Sequence, residues 1–331
     1  MLRRVQFWAE ERDAPLLRLN NCFLPCSNIL NLIPDQLEEN PITFDGQYER
    51  IIRLDAERTF LGVAQRTTLM NVLSILRKEF ASYHQAMSYV AGFLLLTQSP
   101  SKVIDTMRGL YRTVLVDYWK EEPIGFATDA YVFDYLLAQY DPEVQQHLAK
   151  HYVFPETYTQ KWFTTLCVGV LPFEALFLFF DTFLDESLRT SSNIFLFQFA
   201  LSFIRHLRQE ILGAQNVATL YAYLRFDVSL LLKNLKGNQM AMAIVKQAKD
   251  YDLTGYDLVV LRQKLFNEKL RARLEAARRA HQVDTKKLST DVTSSSSSSS
   301  DEGDNDDDSS GENSVFTMNQ LVSSMQQMHI E

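Results

Sequence analysis

Apolar residues recur along most of the chain with the spacing of amphipathic helices. The clearest example begins at Ser99 and Pro100, a typical N-cap and first-turn pair. After this pair, apolar side chains stand at i, i+3, i+4 and i+7 in KVIDTMRGLYRTVLVDYW. The same period predicts helices around residues 68–80, 126–139, 158–170, 193–212, 217–232 and 254–280. Strand alternation bounded by hairpin turns and fixed-period repeats are both absent from the pattern, which therefore predicts an all-α fold with a single core.

Composition divides the chain into four segments. We predict a helical domain at residues 25–285, preceded by a segment of uncertain structure at residues 1–24. Residues 286–314 form a Ser/Asp-rich linker that contains the run SSSSSSSDEGDNDDDSSGEN. This linker has almost no apolar side chains, so burial cannot offset the entropy lost on ordering. We therefore expect the acidic C-terminal linker to be disordered.

A short amphipathic segment, residues 315–331, follows the linker. Its apolar stripe consists of Val315, Met318, Leu321, Val322, Met325 and Met328. Such a stripe suits a helix that docks on a partner or on the helical domain itself. It suits equally a tail with only some helical bias, and the sequence leaves these alternatives open.

The charge of the chain is unevenly distributed. The net charge is −8, but nine of the 41 acidic residues lie after residue 290, where there is no Lys or Arg. The rest of the chain carries 33 basic and 32 acidic residues, a balance of +1. Because a nucleic-acid binder needs a clear basic surplus, this balance argues against nucleic acid as a partner.

Other features bear on where the protein works. The most apolar runs, at residues 168–180 and 194–204, are shorter than the roughly 20 residues of a membrane span. No signal peptide is visible, and three cysteines are too few for a disulfide framework, which favours a reducing, cytoplasmic compartment. Basic residues repeat between positions 262 and 279. A solvated helix face explains them better than a contact with anionic lipid.

Local spacing argues against a metal site and against a bound nucleotide. Cys22, Cys26, His147 and His151 could gather a zinc ion, but the cysteine spacing is wider than in usual zinc pairs, so buried cysteines and surface histidines are favoured. The chain has no GxSxG, HExxH or GxxxxGK[ST] motif. We therefore expect no metal site and no nucleotide bound by the chain itself.

Three stretches in a fixed order suggest a function. The first, IRLDAERTF, contains Ile52, Asp55 and Arg58; alone, its Asp–Arg pair would be an exposed i, i+3 ion pair worth a few tenths of a kcal/mol. The second, YHQAMSYVAG, places Tyr83 and Gln85 just ahead of an apolar helix. The third is YTQKWFTTLCVGVLPFEALFLFFDTFL.

In this order the motifs resemble those of the TBC-domain family, the GTPase-activating proteins of Rab small GTPases. Ile52, Asp55 and Arg58 match the IxxDxxR motif, and Tyr83 and Gln85 match the YxQ motif. The third stretch is similar to the WF…LP…WD.FL segment of the family. The resemblance is clear over residues 45–205 and implies a TBC-type helical domain.

The resemblance also implies a mechanism. Arg58 would be an arginine finger and Gln85 a glutamine finger, both catalytic and both inserted into the active site of a GTP-bound Rab. Asp55 would hold the Arg58 segment and Tyr83 would pack beneath Gln85, with Ile52 as a further supporting residue. GTP and Mg²⁺ would belong to the partner, so the chain needs no cofactor and has no enzymatic activity of its own. Its role would be in vesicle traffic, in the cytoplasm or peripherally on endomembranes.

The sequence departs from the family at several positions. Ala86 stands where a glycine usually follows the glutamine finger, Leu61 where a proline often follows RTF, and Phe180 where a tryptophan is customary. The connection between Arg58 and Gln85 is also shorter than usual. Ala86, the short connection and the lack of a clear match to the Trp-containing N-terminal helix of the family motivate the alternative hypothesis, a scaffold or effector that binds a small GTPase without activating it. Retention of both finger residues favours the activator.

Overall fold

Helices follow one another through nearly all of the residues that can be described in the computed structural model, which are 16–19, 22–25, 46–227, 237–276 and 278–279. In chain order the helices are α1 Gly46–Thr59, α2 Val63–Phe80, α3 Ala86–Leu94, α4 Pro100–Gly109, α5 Ile124–Tyr140, α6 Pro142–Lys150, α7 Pro155–Phe163, α8 Phe173–Thr190, α9 Ile194–His206, α10 Arg208–Gly213, α11 Val217–Leu224, α12 Gly237–Lys246 and α13 Leu258–Leu265. The predicted all-α class is confirmed for the domain.

One element departs from that class. Ahead of the helices, β1 Leu16–Leu19 and β2 Cys22–Pro25 pair as a short antiparallel hairpin, with Leu19 opposite Cys22. The apolar pattern did not predict this hairpin, which lies mainly within the segment left uncertain at residues 1–24. A two-stranded hairpin this short contributes little independent stability.

The first three helices pack closely at one point. A Cβ atom built on Gly92 of α3 would lie 2.8 Å from Cγ2 of Thr59, at the end of α1. That distance is too short for a real contact, so glycine permits the backbone of α3 to approach α1. Ile52 of α1 and Phe60, the residue that follows the helix, are buried. This approach holds α3 against the end of α1, which matters for the site described below.

Aromatic side chains fill much of the core. Phe93 of α3 packs on Phe180 of α8, with ring centroids 4.5 Å apart, and on Phe177 at 4.9 Å. Phe179 of α8 meets Phe199 of α9 edge to face at 4.9 Å. Such pairs add about 0.5–1.5 kcal/mol each beyond the area that they bury. Phe180 is therefore a well-packed substitute for the customary tryptophan.

Predicted helix ends differ from the observed ones where the backbone turns. The pattern at 158–170 continues past α7, but Leu166 and Cys167 both have positive φ, which an α-helix does not allow. The pattern at 193–212 is divided into α9 and α10 at Leu207. Ser99 precedes α4 as predicted, but its hydroxyl makes no capping hydrogen bond.

Several predictions fall on residues that the structure does not describe. These are the expected disorder of the linker at residues 286–314, the segment 315–331, the last part of the pattern at 217–232, and most of residues 1–24. The chain divides into two units, residues 1–257 and 258–331. In the second, α13 continues into a π-helical turn, Phe266–Leu270. Within the described residues, no helix is both long enough and apolar enough to span a bilayer.

Candidate functional site

A buried carboxylate lies at the centre of the predicted site. Asp55, near the end of α1, is only 4% exposed. Its backbone carbonyl accepts a hydrogen bond from Oγ1 of Thr59 at 2.7 Å, in the last turn of the helix. A buried carboxylate is costly unless donors compensate it, so its partners define the site.

Three side chains converge on this carboxylate. The Tyr83 hydroxyl donates to Oδ2 of Asp55 at 2.7 Å, and Nε2 of Gln85 donates to Oδ1 at 3.1 Å. Nη1 of Arg58 lies 3.6 Å from the same Oδ1. The structure therefore brings together four of the five predicted site residues. The fifth, Ile52, is buried in the core one turn earlier on α1.

The two predicted catalytic side chains are open to solvent. The Arg58 side chain is 66% exposed, and Gln85 is also exposed. Asp55 and Tyr83 are buried beneath them. The arrangement therefore presents a permanent cation and a carboxamide side by side on the surface, above a buried acceptor that both contact.

Burial and hydrogen bonding oppose each other at Asp55. Burial raises the pKa of the carboxyl, while the hydrogen bonds from Tyr83 and Gln85, and then the charge of Arg58, lower it; the net shift is upward from 3.8. Burial, together with the neighbouring Asp55 charge, raises the pKa of the Tyr83 phenol well above its ordinary value. Tyr83 is therefore a phenol at neutral pH and a permanent donor to Asp55.

The segment after Arg58 is held by a side chain from α2. Nε of Arg66 donates to the carbonyl oxygen of Phe60 at 2.8 Å. Leu61 and Val63 follow and are exposed, at 48% and 76%. Arg58 itself lies in the last turn of α1, where a cation interacts favourably with the helix dipole.

Gln85 is carried by the turn between α2 and α3. This turn begins at Ala81, which has a φ of 52°. The Ser82 hydroxyl donates to the carbonyl oxygen of Trp119 at 3.3 Å, and the buried Trp119 indole donates to the carbonyl oxygen of Thr164 at 2.9 Å. The turn is thereby tied to two other parts of the domain.

Residues next to Gln85 were given no role by the sequence. Nδ1 of His84 accepts a hydrogen bond from the backbone N–H of Ala86 at 3.2 Å. The only feature of the sequence that could have pointed to His84 is its position, as a polar residue just ahead of an apolar helix. Ala86, the position where the family usually has glycine, is the first residue of α3 and does not have a positive φ. Glycine is therefore not required there by the backbone.

The structure also bears on the zinc hypothesis. His147 and His151 lie one turn apart at the end of α6, with ring centroids 4.6 Å apart. Cys26 is outside the described residues. Among the residues that can be described, no three His, Cys, Asp or Glu side chains are grouped closely enough to hold a metal ion.

Replacing Tyr83 with phenylalanine is expected to destabilise the domain in a pH-dependent way. Because folding raises the pKa of Asp55, its contribution to stability is greatest below the unfolded value and decreases as pH rises through the folded value. Loss of the Tyr83 donor raises the folded pKa further. We expect a loss of about 1.5–3 kcal/mol in the free energy of unfolding at pH 7, and a smaller loss as pH falls.

Urea unfolding of the wild type and of Tyr83→Phe at pH 7 and at pH 5 measures this difference. Tyr140→Phe is the matched control, because its hydroxyl donates to the neutral backbone carbonyl of Asp252 at 2.8 Å. The loss in the control is expected to be the same at both pH values. A Tyr83→Phe loss that is independent of pH, or larger at pH 5, would contradict the assigned contact.

Comparisons with known proteins agree with the fold. The chain is 29% identical over 203 residues to "Growth hormone-regulated TBC protein 1-A" of Danio rerio, covering 55% of this chain and 56% of that protein. It is 26% identical over 222 residues to human "TBC1 domain family member 1", covering 62% of this chain and 18% of that protein. The chain thus spans about half the length of the first relative, and far less of the second.

Two solved structures are similar in fold. The Chlamydomonas flagellar RabGAP TBC domain matches with a TM-score of 0.51 at 20% identity, over 63% of this chain and 68% of that one. The Ypt/Rab-GAP domain of Gyp1p matches with a TM-score of 0.50 at 14% identity, over 67% and 76%. At this identity the two structures show the fold alone.

The match to a protein family is more extensive. The profile described as "Rab-GTPase-TBC domain" matches residues 30–212, more than half of the chain. That range includes all of α1 to α3 and the four residues that meet at Asp55. The resemblance inferred from the motifs is thereby confirmed: the chain belongs to the Rab-GTPase-TBC domain family.

Proposed function

We propose that this chain is a GTPase-activating protein that accelerates GTP hydrolysis by a GTP-bound Rab-family small GTPase and so regulates vesicle traffic. The observation that carries the proposal is the surface pairing of Arg58 with Gln85. Both side chains are exposed, and both contact Oδ1 of Asp55. Membership of the Rab-GTPase-TBC domain family supports the choice of a Rab as partner.

The chemistry of GTP hydrolysis explains why these two residue types would be needed. Charge develops on the phosphoryl oxygens and on the β–γ bridging oxygen while a water molecule attacks in line. Arg58 would supply a planar, permanently charged donor to these oxygens from outside the GTPase. Gln85 would orient the attacking water through its carboxamide. GTP and Mg²⁺ remain those of the partner, and the proposed activator brings no cofactor.

The contacts of Arg58 and Gln85 with Asp55 are weak enough to be replaced by contacts with the GTPase. The Arg58 side chain is 66% exposed and its Nη1 lies 3.6 Å from Oδ1 of the buried Asp55, so solvent screens this ion pair and it contributes only about 0–1 kcal/mol. Tyr83, which is buried, would keep its hydrogen bond to Asp55 when Arg58 and Gln85 turn toward the partner. Asp55 and Tyr83 would then be supporting residues that keep the ends of α1 and α3 together.

A panel of GTP-loaded Rab proteins tests this proposal. Phosphate release is followed under single-turnover conditions with and without the full chain. We expect at least one Rab to hydrolyse GTP roughly 10³-fold faster or more with the chain present. A Rab that binds the chain in its GTP form without acceleration would instead support the scaffold or effector alternative. No binding and no acceleration across the panel would contradict both.

A further inference from the structure

The backbone at Gln85 is enclosed by a hydrogen bond that the residue after it donates to the side chain of the residue before it. Nδ1 of His84 accepts from the N–H of Ala86 at 3.2 Å. The carbonyl oxygen of His84 also accepts from the N–H of Met87 at 2.9 Å. Gln85 therefore lies inside a short ring that is closed by the His84 side chain, at the point where α3 begins.

The Gln85 side chain takes no part in capping the helix. The backbone carbonyl oxygen of Gln85 accepts from the N–H and the hydroxyl of Ser88, at 3.0 and 2.8 Å. Its carboxamide makes no capping hydrogen bond to α3 and donates instead to Asp55. The side chain of His84, the residue before it, accepts the first N–H of α3 instead, so the carboxamide of Gln85 is not needed there.

His84 does what oxygen-bearing side chains do at other helices of the domain. Oδ1 of Asp141 accepts from the N–H of Val144 at the start of α6, and Oδ1 of Asn216 accepts from the N–H of Thr219 at the start of α11. Such caps typically contribute about 1 kcal/mol. An imidazole nitrogen in this position reaches the N–H two residues on.

The protonation state of His84 follows from its partner. A backbone N–H can only donate, so Nδ1 must carry a lone pair and the ring must be neutral. Burial also favours the neutral ring, because it lowers the pKa of His84 to about 4. A protonated ring would lose the acceptor and place a cation at a helix N-terminus, where it is unfavourable.

From this geometry we infer that His84 is a positioning residue that fixes the backbone of Gln85 and so aims its carboxamide at the reacting water. The inference rests on the proposed function, because it concerns how Gln85 acts on the GTPase. Without this hydrogen bond, the backbone of the turn samples more conformations and the carboxamide is no longer held in one orientation. Arg58 and the binding surface are unchanged. Misplacement of a catalytic group by about 1 Å can cost up to about 10²-fold in rate.

Two substitutions distinguish the role of the hydrogen-bond acceptor of His84 from the role of its side-chain volume. His84→Asn keeps an acceptor the same number of bonds from Cα, whereas His84→Leu keeps buried volume but has no acceptor. We expect His84→Leu to lower the maximal single-turnover rate about 10-fold, with the half-saturating concentration within about twofold of wild type. His84→Asn is expected to stay within about threefold in both quantities.

A double-mutant cycle tests whether His84 acts through Gln85. In a Gln85→Ala background, His84→Leu should change the rate by less than about twofold, whereas in the otherwise wild-type chain it lowers the rate about 10-fold. A thermal melt of each variant checks that it is folded. If His84→Leu fails to fold, the Asn variant decides: activity near wild type supports the inference, and a loss of about 10-fold overturns it.

The outcomes separate this inference from the proposed function. If the wild type accelerates hydrolysis and depends on Gln85, but His84→Leu is fully active, only the positioning role is wrong. The same holds if the Leu variant is active while the Asn variant is not, since bulk and not the acceptor would then matter. If the wild type accelerates no Rab, the proposed function and the positioning role are both overturned.

Discussion

Arg58→Ala lowers the single-turnover rate of GTP hydrolysis by a responsive Rab about 10³- to 10⁵-fold at saturating concentrations of the chain, which is the usual contribution of an arginine finger. This loss corresponds to about 4–7 kcal/mol of activation free energy. It is large because no other group replaces the guanidinium in a site from which water is excluded. Folding is expected to be nearly unchanged, because the Arg58 side chain is 66% exposed and its ion pair is long, at 3.6 Å.

Two further variants sharpen this expectation. Arg58→Lys keeps the charge but loses the planar fork of donors, so we expect it to recover only a small part of the rate. Arg205→Ala is the matched control, because it removes an ion pair of the same length, 3.6 Å to Asp250, from another part of the domain. Full activity in Arg58→Ala, or an equal loss in Arg205→Ala, would contradict the role of Arg58.

Gln85→Ala is expected to lower the same rate by about 10²- to 10³-fold, the range for loss of one preorganised polar group. If Gln85 orients the water in trans, the GTPase does not need its own glutamine for that step. A Rab variant with its switch glutamine replaced by alanine should therefore still respond to the wild-type chain. The same Rab variant should not respond to Gln85→Ala.

Gln145→Ala controls for the loss of a hydrogen bond. Nε2 of Gln145 donates to Oδ1 of Asp134 at 3.1 Å, the same type of contact and the same distance as between Gln85 and Asp55. We expect Gln145→Ala to keep full activity. If the Rab variant without its glutamine fails to respond to the wild-type chain, Gln85 does not act on the water, and its loss of function would need a structural explanation.

The sequence predicted the helices best where one face is apolar and the other polar. It missed α8 as a periodic element because the first half of that helix, FEALFLFF, is apolar on nearly every face. This half is buried on several sides, as shown by Phe177, Phe179 and Phe180. A helix segment that is apolar on several sides lacks the alternation of apolar and polar faces from which a helix is predicted. It also extended the helix at 158–170 beyond Phe163, because the left-handed turn at Leu166 and Cys167 uses residues that carry no turn signal.

In the site, too, local spacing predicts some contacts and not others. Spacing along α1 predicts that Asp55 and Arg58 are neighbours, since they are three residues apart on one helix. Nothing local predicts that Tyr83 and Gln85, 28 and 30 residues further on, donate to the same carboxylate. That contact depends on how α3 packs against α1. The resemblance to a family implied only that Asp55 holds the Arg58 segment and that Tyr83 packs beneath Gln85. The cap made by His84 was missed altogether, because histidine is not a usual capping residue.

The most direct test of the central claim combines both finger substitutions in one chain. Hydrolysis by a responsive Rab is measured with the wild type and with Arg58→Ala/Gln85→Ala, and binding to the GTP-bound Rab is measured in parallel. We expect the double variant to bind within about threefold of the wild type and to give no detectable acceleration. A double variant that still accelerates hydrolysis, or one that loses activity only because it no longer binds, would contradict the claim that Arg58 and Gln85 act in the active site of a partner.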